Sequence, residues 1–325
     1  MIELTRKSPL LKQAWKLFEN LIAEGELLQE SLTEEAFEEK VFLKQDKLGC
    51  IGLASQDGAG FAFGCTDFLQ KKNFITLVMV KKEDRGKGIG RALLNALEEK
   101  LQEQQKAAEE TWNNRCEISF FNPVTFSWKI PGKHANHPNM PGVDRESGVC
   151  TFFEKAGYHV FAVQNSYYLS LKEYESSEII AKKKEELEKE GITFVPYDSG
   201  SQKGMKEMLA SFQNPLWEKE ILSEPGKVGG GRTILVPVKE GRVCGFTGPL
   251  DVEKKGRGYF AGIAVDESVR GKGVAKILFC ELCMGLKEQG ASFMTLFTGE
   301  KNPARNIYEA AGFQIVKSWA NMRKE

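Results

Sequence analysis

A short run of glycine and basic residues occurs twice in this chain. The copies are Arg85-Gly86-Lys87-Gly88-Ile89-Gly90 and Arg270-Gly271-Lys272-Gly273-Val274-Ala275. Each copy follows an apolar, strand-like run and precedes an amphipathic helical pattern. Backbone N–H groups at the start of such a helix point toward one spot, where the helix dipole is positive. The pattern therefore predicts two anion sites, and a pyrophosphate is the most natural anion for them.

Residue spacing argues against two common nucleotide-binding motifs. A Walker loop needs Ser or Thr after Gly-Lys, but Gly88 and Gly273 stand at that position. The dinucleotide fingerprint needs glycine at its sixth position, which Arg91 and Lys276 occupy here. What remains is Arg-x-x-Gly-x-Gly/Ala between a strand and a long helix.

This remaining pattern resembles the acetyl-CoA-binding motif of the GNAT superfamily of N-acetyltransferases. The matching residues are Arg85, Gly88 and Gly90 in the first half and Arg270, Gly273 and Ala275 in the second. A second family signature follows as Asn302-Pro303-Ala304-Arg305-Asn306-Ile307-Tyr308-Glu309-Ala310-Ala311-Gly312-Phe313. The first half carries a weaker version that ends at Gly157-Tyr158. The resemblance implies a tandem protein that moves an acetyl group from acetyl-CoA to a primary amine.

The resemblance also implies roles for individual residues. The expected acetyl-CoA-binding residues are Val80, Arg85, Gly86, Lys87, Gly88, Ile89 and Gly90, and Val265, Arg270, Gly271, Lys272, Gly273, Val274, Ala275 and Asn302. The backbone N–H near Val265 would stabilise the carbonyl oxygen during acyl transfer, as would that of Val80 in the first half. Tyr308 would protonate the leaving thiolate, because a phenol with a pKa of about 10 is protonated at neutral pH. Alternatively, Tyr308 only packs on a sheet and Asn302 only caps a helix.

The two halves differ where proton transfer is expected. Counting back from the glycine that ends each signature places Phe153 opposite Tyr308 and Ser147 opposite Asn302. Since Phe153 cannot donate a proton, we expect the chemistry mainly in the second half. Two alternatives stay open: a non-catalytic acyl-CoA sensor or interaction module, and a protein in which both halves are active.

No residue stands out as the general base. Asp251, Glu253 and Glu300 lie in the second half near the expected site. A solvated surface charge is the better interpretation of each, and a chain of water molecules could serve as the base instead.

The elements that must position these residues recur in both halves. Strand-like runs cover 49–54, 60–67 and 73–80, and then 233–238, 243–249 and 259–265. A leucine every four residues marks the helix after each glycine turn. The closing strands are expected at 160–163 and 167–171, and at 313–316 and 319–322. This order, with the resemblance, predicts an α/β fold (α+β, mixed sheet): two GNAT-like domains, each a mostly antiparallel twisted sheet flanked by helices.

Length and charge patterns suggest where the domains divide. A chain of 325 residues favours two domains. We expect domains at 1–172 and 191–325, joined by a charged, solvated helix at 173–190. The first half has about thirty extra residues in the segment 121–147, which contains Phe126 and Trp128. We expect this segment to cover a pocket of the first domain or to pack on the second; merely covering the first core is the alternative.

Composition narrows the class of protein. Lys and Arg number 45 and Asp and Glu number 45, so no bulk charge draws the chain to nucleic acid or membrane lipid. The sequence begins with no secretory signal and has no membrane-spanning apolar run, and its seven scattered cysteines suit a reduced cytoplasmic protein. We expect Cys280 and Cys283 in a helix core rather than on a metal, and His134 and His137 in a solvated loop.

Overall fold

The computed structural model describes residues 1–108, 112, 115–225, 227 and 231–325. The chain forms two compact units. The first unit contains residues 1–165 and 317–325, and the second contains 166–316. These groupings differ from the expected domains at 1–172 and 191–325, because the C-terminal residues join the first unit. The domain boundaries themselves stay a prediction.

The first unit is built on a mixed sheet. Its elements are β1 (Ile2–Leu4), α1 (Pro9–Ala23), α2 (Glu34–Val41), β2 (Leu48–Ala54), β3 (Gly60–Asp67), β4 (Lys72–Val80), a 3₁₀ turn (Lys82–Asp84), α3 (Ile89–Ala107), β5 (Cys116–Ile118), β6 (Trp128–Lys129), β7 (Asn136–His137), β8 (Val143–Asp144), α4 (Gly148–Lys155) and the start of β9 (His159–Ser170). Strands β1 to β4 pair antiparallel in order, and β4 pairs parallel with β5. The strand Gln314–Lys324, whose residues from Lys317 onward belong here, pairs antiparallel with β5 and β8.

Helices cover both faces of this sheet. Helices α1 and α2 bury Phe18 and Phe37 on one face, where the rings lie 5.2 Å apart. On the opposite face α3 buries the leucine stripe that the sequence pattern predicts, Leu93, Leu97 and Leu101, all fully buried. The sheet therefore holds the residues after β4 rigidly against the start of α3.

The second unit repeats this order. Its elements are the end of β9, α5 (Glu178–Lys189), β10 (Ile192–Pro196), α6 (Met205–Ser211), α7 (Pro215–Leu222), β11 (Leu235–Lys239), β12 (Arg242–Val243), β13 (Gly245–Thr247), β14 (Arg257–Gly258), β15 (Ile263–Val265), a 3₁₀ turn (Glu267–Val269), α8 (Val274–Glu288), β16 (Phe293–Gly299), α9 (Arg305–Ala310) and the start of β17 (Gln314–Lys324). Strands β10, β11, β13 and β15 pair antiparallel, and β14 pairs parallel with β16. The expected mixed α/β architecture is confirmed.

The charged helix α5 is not a free connection. Its hydroxyl N-cap, Ser177, accepts the N–H of Ile180 at 3.4 Å. Leu187 is buried beside Ile277 of α8, and Lys184 lies 2.9 Å from Glu281 on that helix. Helix α5 is thus part of the second unit, anchored by the buried Leu187 and the partly buried Ile180.

Five of the expected strands have different bounds in the structure. The runs at 160–163 and 167–171 form one strand, β9, and those at 313–316 and 319–322 form another, β17. The polar residues that suggested breaks are paired: Ser318 donates to Asn165 at 2.7 Å, and Lys317 lies 3.0 Å from Asp144. Conversely, only Ile263–Val265, which is β15, is a strand within the run at 259–265, and β14 lies just before that run. Trp217 Nε1 donates to the Ala261 carbonyl, between the two strands, at 3.1 Å.

The structure also tests the predictions made for the cysteines and histidines. Cys280 and Cys283 are buried and unbonded in α8, which confirms the core interpretation. His134 is exposed, but the prediction of a solvated His137 is wrong: it is buried, with Nδ1 2.7 Å from the Asn139 carbonyl oxygen. Within the described residues, no group of His, Cys, Asp and Glu is arranged to hold a metal ion. No helix in that part of the chain is long and apolar enough to cross a membrane.

Candidate active site

The two glycine-rich turns have the same backbone conformation. Gly86 and Gly88 have φ values of 77° and 83°, and Gly271 and Gly273 have 75° and 89°. This left-handed region favours glycine. Gly88 and Gly273 are the N-caps of α3 and α8, and neither helix has a side-chain cap or an acidic residue in its first turn. The first N–H groups of both helices are therefore left for an anion.

The strand before each turn ends with an N–H group that points out of its ladder. The Lys81 N–H donates to the Ala59 carbonyl, so the neighbouring pair Gly60–Val80 is of the non-hydrogen-bonded type. The N–H of Val80 consequently points away from β3. On that side β4 pairs with β5 only at Asn73 and Phe74.

The same arrangement occurs in the second unit. The Asp266 N–H donates to the Cys244 carbonyl, so the pair Gly245–Val265 leaves the Val265 N–H pointing away from β13. The described pairs between β14 and β16 stop at Gly258. Each unit thus presents one backbone donor at an opening between parallel strands, next to a helix N-terminus.

The arginines of the two turns are engaged in the same way. The Nε atoms of Arg85 and Arg270 donate to the carbonyls of Val80 and Val265 at 3.2 and 3.3 Å. Arg85 also pairs with Glu26 at 2.5 Å, and this hydrogen bond lowers the pKa of the Glu26 carboxyl. These arginines therefore hold strand and turn together, and the anion is left mainly to backbone N–H groups.

The glycines of both turns border open space. A Cβ added at Gly86, Gly88 or Gly271 would meet nothing within 4 Å, and at Gly273 only Lys183 Cγ, at 3.7 Å. In the first unit an open cleft of about 480 Å³ is lined by Lys87, Gly88 and Ile89 together with the β2–β3 turn. The lining also includes Asp57, and Lys87 is paired with Asp84 at 2.7 Å, which leaves the backbone N–H groups as the donors for an anion there. Gly90, Val274 and Ala275 lie in the helices that follow the turns.

Tyr308 lies in an aromatic cluster of the second unit. It is 6 % exposed, with its ring centroid 5.0 Å from Phe279 and 6.0 Å from Phe260. Its hydroxyl has no hydrogen-bond partner among the described residues. Burial, with a smaller contribution from Tyr167, raises the pKa of Tyr308 to about 12. The phenol therefore keeps its proton well above neutral pH.

The equivalence of Phe153 and Tyr308 is visible in the backbone. The N–H of Tyr158 donates to the Phe153 carbonyl at 3.0 Å, and that of Phe313 donates to the Tyr308 carbonyl at 3.1 Å. Gly157 and Gly312, one residue earlier, both have φ of 92°. Ser147, opposite Asn302, caps α4 but turns its hydroxyl to the Asp144 carbonyl at 2.8 Å. The first unit thus has the same helix ending without the phenol.

Asn302 lies in the turn before α9, two residues before the N-cap position of that helix. Its Oδ1 accepts the Ala304 N–H at 3.0 Å and its carbonyl accepts the Arg305 N–H at 3.1 Å. The helix itself begins at Arg305, with Ala304 as N-cap. Local hydrogen bonding therefore accounts for Asn302, and contact with the cofactor stays a prediction.

The carboxylates considered as bases are mostly engaged elsewhere. Asp251 lies 3.0 Å from Arg232, and Glu253 binds Arg257 through both oxygens. Arg232 also pairs with Glu220 and with the buried Glu224. The sequence analysis made no prediction of this cluster, because residue types alone do not show that Arg232 folds against Asp251, 19 positions later, as well as against Glu220 and Glu224.

The extra segment 121–147 belongs to the first unit's core and also lines a cavity. Phe126 and Val124 pack with Phe18, and Trp128 is fully buried. Residues from Asn122 to Gly142 wall a cavity of about 60 Å³, whose other wall includes Ile75 of β4 and Ile118 of β5. The structure therefore supports both the pocket and the core interpretations of the segment.

Comparison with known proteins assigns this architecture. The family model described as "Acetyltransferase (GNAT) family" matches residues 13–121 and 205–313. No curated protein sequence matches the chain.

Solved structures share the fold at low sequence identity. A GCN5-related N-acetyltransferase from Sphaerobacter thermophilus is 17% identical with a TM-score of 0.61, covering 100% of this chain and 95% of that one. A tandem GNAT protein from the clavulanic acid biosynthesis pathway is 14% identical with a TM-score of 0.57, covering 100% and 97%.

A third solved structure is much longer than this chain. It is the GCN5-related glucosamine N-acetyltransferase region of a fungal multi-domain GH3 β-N-acetylglucosaminidase, 16% identical with a TM-score of 0.68. The match covers 99% of this chain but only 38% of that one. Both copies of the glycine turn fall inside the two family matches, so the chain belongs to the GNAT family of acetyltransferases and carries the family's fold twice.

Proposed function

We propose that the chain transfers an acetyl group from acetyl-CoA to a primary amine, with the chemistry in the second unit. The observation that carries the proposal is the asymmetry between Tyr308 and Phe153 in two otherwise matching helix endings. Both units keep the backbone donors of an anion site, but at the matching helix position only the second has a phenol, that of Tyr308. The cytoplasm is the proposed location, since none of the seven cysteines forms a disulfide bond.

Each residue has a defined task in this mechanism. Acetyl-CoA, when bound, supplies a thioester carbonyl and a thiolate leaving group. The N–H groups at the start of α8 hold phosphate oxygens, and the Val265 N–H donates to the carbonyl oxygen as negative charge develops there. Tyr308 holds the proton that the thiolate needs. Its raised pKa keeps this proton in place throughout the physiological range.

The first unit is proposed to bind acetyl-CoA without efficient turnover. The cleft beside Gly88 and the outward N–H of Val80 support binding there. Phe153 stands where a proton donor is needed, which argues against the alternative that both units are active.

Replacing Tyr308 with Phe tests the proposal. Thiol release from acetyl-CoA, measured over a panel of amines, should fall by about 10²–10⁴-fold in kcat, the usual range for a general acid. Calorimetric affinity for acetyl-CoA should stay similar, because the ring still packs. The matched control is Tyr167→Phe, which removes a neighbouring hydroxyl that binds Glu309 at 3.2 Å and should leave kcat within about twofold.

Other outcomes would identify the alternatives. Wild-type turnover in Tyr308→Phe would remove this residue from the mechanism. Acetyl-CoA binding with no turnover of any amine by the wild type would favour the acyl-CoA sensor.

A further inference from the structure

Two cysteines of the first unit lie opposite each other on neighbouring strands. The register of β2 and β3 pairs Cys50 directly with Cys65. Both side chains lie on the face of the sheet that α1 and α2 cover, Cys65 within that core and Cys50 packed against it. Both are free thiols, and acetyl transfer in the second unit gives neither of them a task.

The hydrogen-bond pattern of the two strands brings the cysteines close together. The Ser55 N–H donates to the carbonyl of its opposed residue Gly60 at 3.0 Å, and hydrogen-bonded and non-hydrogen-bonded pairs alternate along an antiparallel ladder. Since Cys50 and Cys65 lie an odd number of positions further along the same unbroken register, they form a non-hydrogen-bonded pair. The Cα atoms of such pairs are about 4.5 Å apart. Disulfides join Cα atoms about 4.4–6.8 Å apart, so the backbone permits one here.

Only weak interactions hold the two sulfurs in their reduced positions. Cys50 Sγ donates to the Leu43 carbonyl at 3.6 Å, and Cys65 Sγ donates to Asn122 Oδ1 at 3.4 Å. A thiol is a weak hydrogen-bond donor. Asn122 Oδ1 also accepts the Val124 N–H at 2.9 Å, so it keeps a donor when the Cys65 sulfur turns away. Turning the sulfurs toward each other therefore costs little hydrogen bonding.

Burial sets the order in which the two thiols react. It raises the pKa of Cys50 to about 11 and places the pKa of Cys65 well above its ordinary value. Because the thiolate is the reactive form, both thiols react slowly. Cys50 is half-buried whereas Cys65 is fully buried, so an oxidant from solvent reaches Cys50 first. The pair therefore responds to a sustained oxidant rather than to a brief one.

The bond between these cysteines should be reversible. Opposed side chains on paired strands have Cβ atoms about 4.5–5.5 Å apart, whereas a disulfide brings them to about 3.8 Å. A disulfide strained in this way has a higher reduction potential and is readily reduced. Disulfides in cytosolic proteins are usually transient for the same reason that they can be useful there, since the surrounding thiols reduce them again.

We propose that Cys50 and Cys65 are a reversible modification site, at which a peroxide closes a disulfide between β2 and β3. The Cys50 thiolate attacks one peroxide oxygen, the O–O bond breaks, and the departing oxygen takes up a proton and leaves as water. The Cys65 sulfur then attacks the sulfur of the resulting sulfenic acid. The S–O bond breaks, and a second water leaves with the Cys65 thiol proton. The two thiols together give two electrons to the peroxide.

Peptide mapping of the folded full chain tests the proposal. The protein is incubated with hydrogen peroxide at mildly alkaline pH, which increases the thiolate fraction, and is then alkylated and digested without reductant. We expect a cross-linked peptide that contains Cys50 and Cys65, lighter by two hydrogen atoms than its two parts, which dithiothreitol separates. The cross-link should be lost in Cys65→Ser. Should that variant fail to melt cooperatively, Cys50→Ser, at the half-buried position, gives the same test.

The matched control is a second pair of neighbouring buried cysteines. Cys280 and Cys283 lie three positions apart in α8 and are as buried as Cys65. Residues at this helix spacing have Cβ atoms about 5–6 Å apart, which is beyond the reach of a disulfide. Both should stay free thiols, and Cys283→Ser should leave the cross-link between Cys50 and Cys65 unchanged.

Three results would overturn the proposal. The first is that Cys50 and Cys65 both stay free at a peroxide dose that oxidises Cys150, which is also half-buried. The second is Cys50 oxidised to a sulfinic acid beside a free Cys65. The third is a bridge within α8 alongside the expected one, which would mean that unfolding brought the thiols together. The site is independent of acetyl transfer, so Tyr308→Phe should form the cross-link like wild type.

Discussion

At the scale of single residues, the glycine turn combines a conformational and a chemical requirement. Gly273 has φ of 89°, and the space above it is open apart from Lys183 Cγ. Only glycine adopts this φ without strain, and only an unsubstituted backbone lets phosphate oxygens approach the N–H groups closely. A side chain here therefore affects both the fold and the ligand, and the two effects can be measured separately.

Gly273→Asp should abolish most acetyl-CoA binding by the second unit, because it adds a negative charge where phosphate is expected. Gly290, at the other end of the same helix, has φ of 92° and open space around it. Gly290→Asp should cost a similar amount of stability, about 1 kcal/mol, with no change in affinity. Calorimetric titration of both variants decides: equal affinities would mean that the turn at Gly273 is only structural.

The buried carboxylate of Glu224 makes stability depend on pH. Burial raises its pKa, but hydrogen bonds from Arg232 and Lys227 outweigh this and lower the pKa to about 2, from 4.5. The stabilisation is therefore present above about pH 4.5 and is lost as the pH falls toward 2, amounting to about 3 kcal/mol. Denaturant unfolding from pH 7 to pH 3 should show a loss of about 2 kcal/mol in wild type, since the remainder is lost only below pH 3. Glu224→Gln should be less stable at pH 7 and show a flatter pH profile; an unchanged slope would contradict the assignment.

At the scale of elements, helix α5 shows how little apolar surface a helix needs for docking. Most of its residues are charged, yet Leu187 is 1% exposed against α8. The ion pair between Lys184 and Glu281 is half-exposed, and such pairs contribute at most about 1 kcal/mol. The apolar contacts of the buried Leu187 and the partly buried Ile180 therefore dominate the docking of this helix.

Leu187→Ala should destabilise the protein by about 2–5 kcal/mol, the range for removing a buried leucine side chain. Ile179, on the same helix, is 79% exposed, and Ile179→Ala should change stability by less than about 0.5 kcal/mol. Urea unfolding of the two variants checks this. Equal stability would restore the interpretation of α5 as a solvated linker.

At the scale of the whole molecule, the chain's last residues complete the sheet formed by its beginning. Met322 pairs with Ile118 of β5, and its side chain is fully buried beside the leucines of α3. The first unit therefore depends on residues that follow the whole second unit in sequence.

Met322→Ala should lower the stability of the first unit by about 2–5 kcal/mol. The signature should be faster hydrogen exchange in α3 and β4, although these elements lie more than 200 positions earlier in the sequence. Ile315, on the same strand but 45% exposed, gives the control Ile315→Ala, which should leave exchange in α3 unchanged. Faster exchange confined to the second unit would contradict the assignment of residues 317–325.

The sequence by itself determined the repeated order of strand, glycine turn and helix. It also determined that Phe153 stands in the first unit at the position that Tyr308 has in the second. These follow from short-range patterns: glycine where φ is positive, a leucine every four residues, and a fixed count back to Gly157 and Gly312. Only the tertiary structure decided the rest. Gln29 and Asn139 line the same cavity, and residues from Lys317 onward join the first unit. Such contacts join residues more than a hundred positions apart, and local periodicity carries no record of which distant groups will meet or be left without a partner.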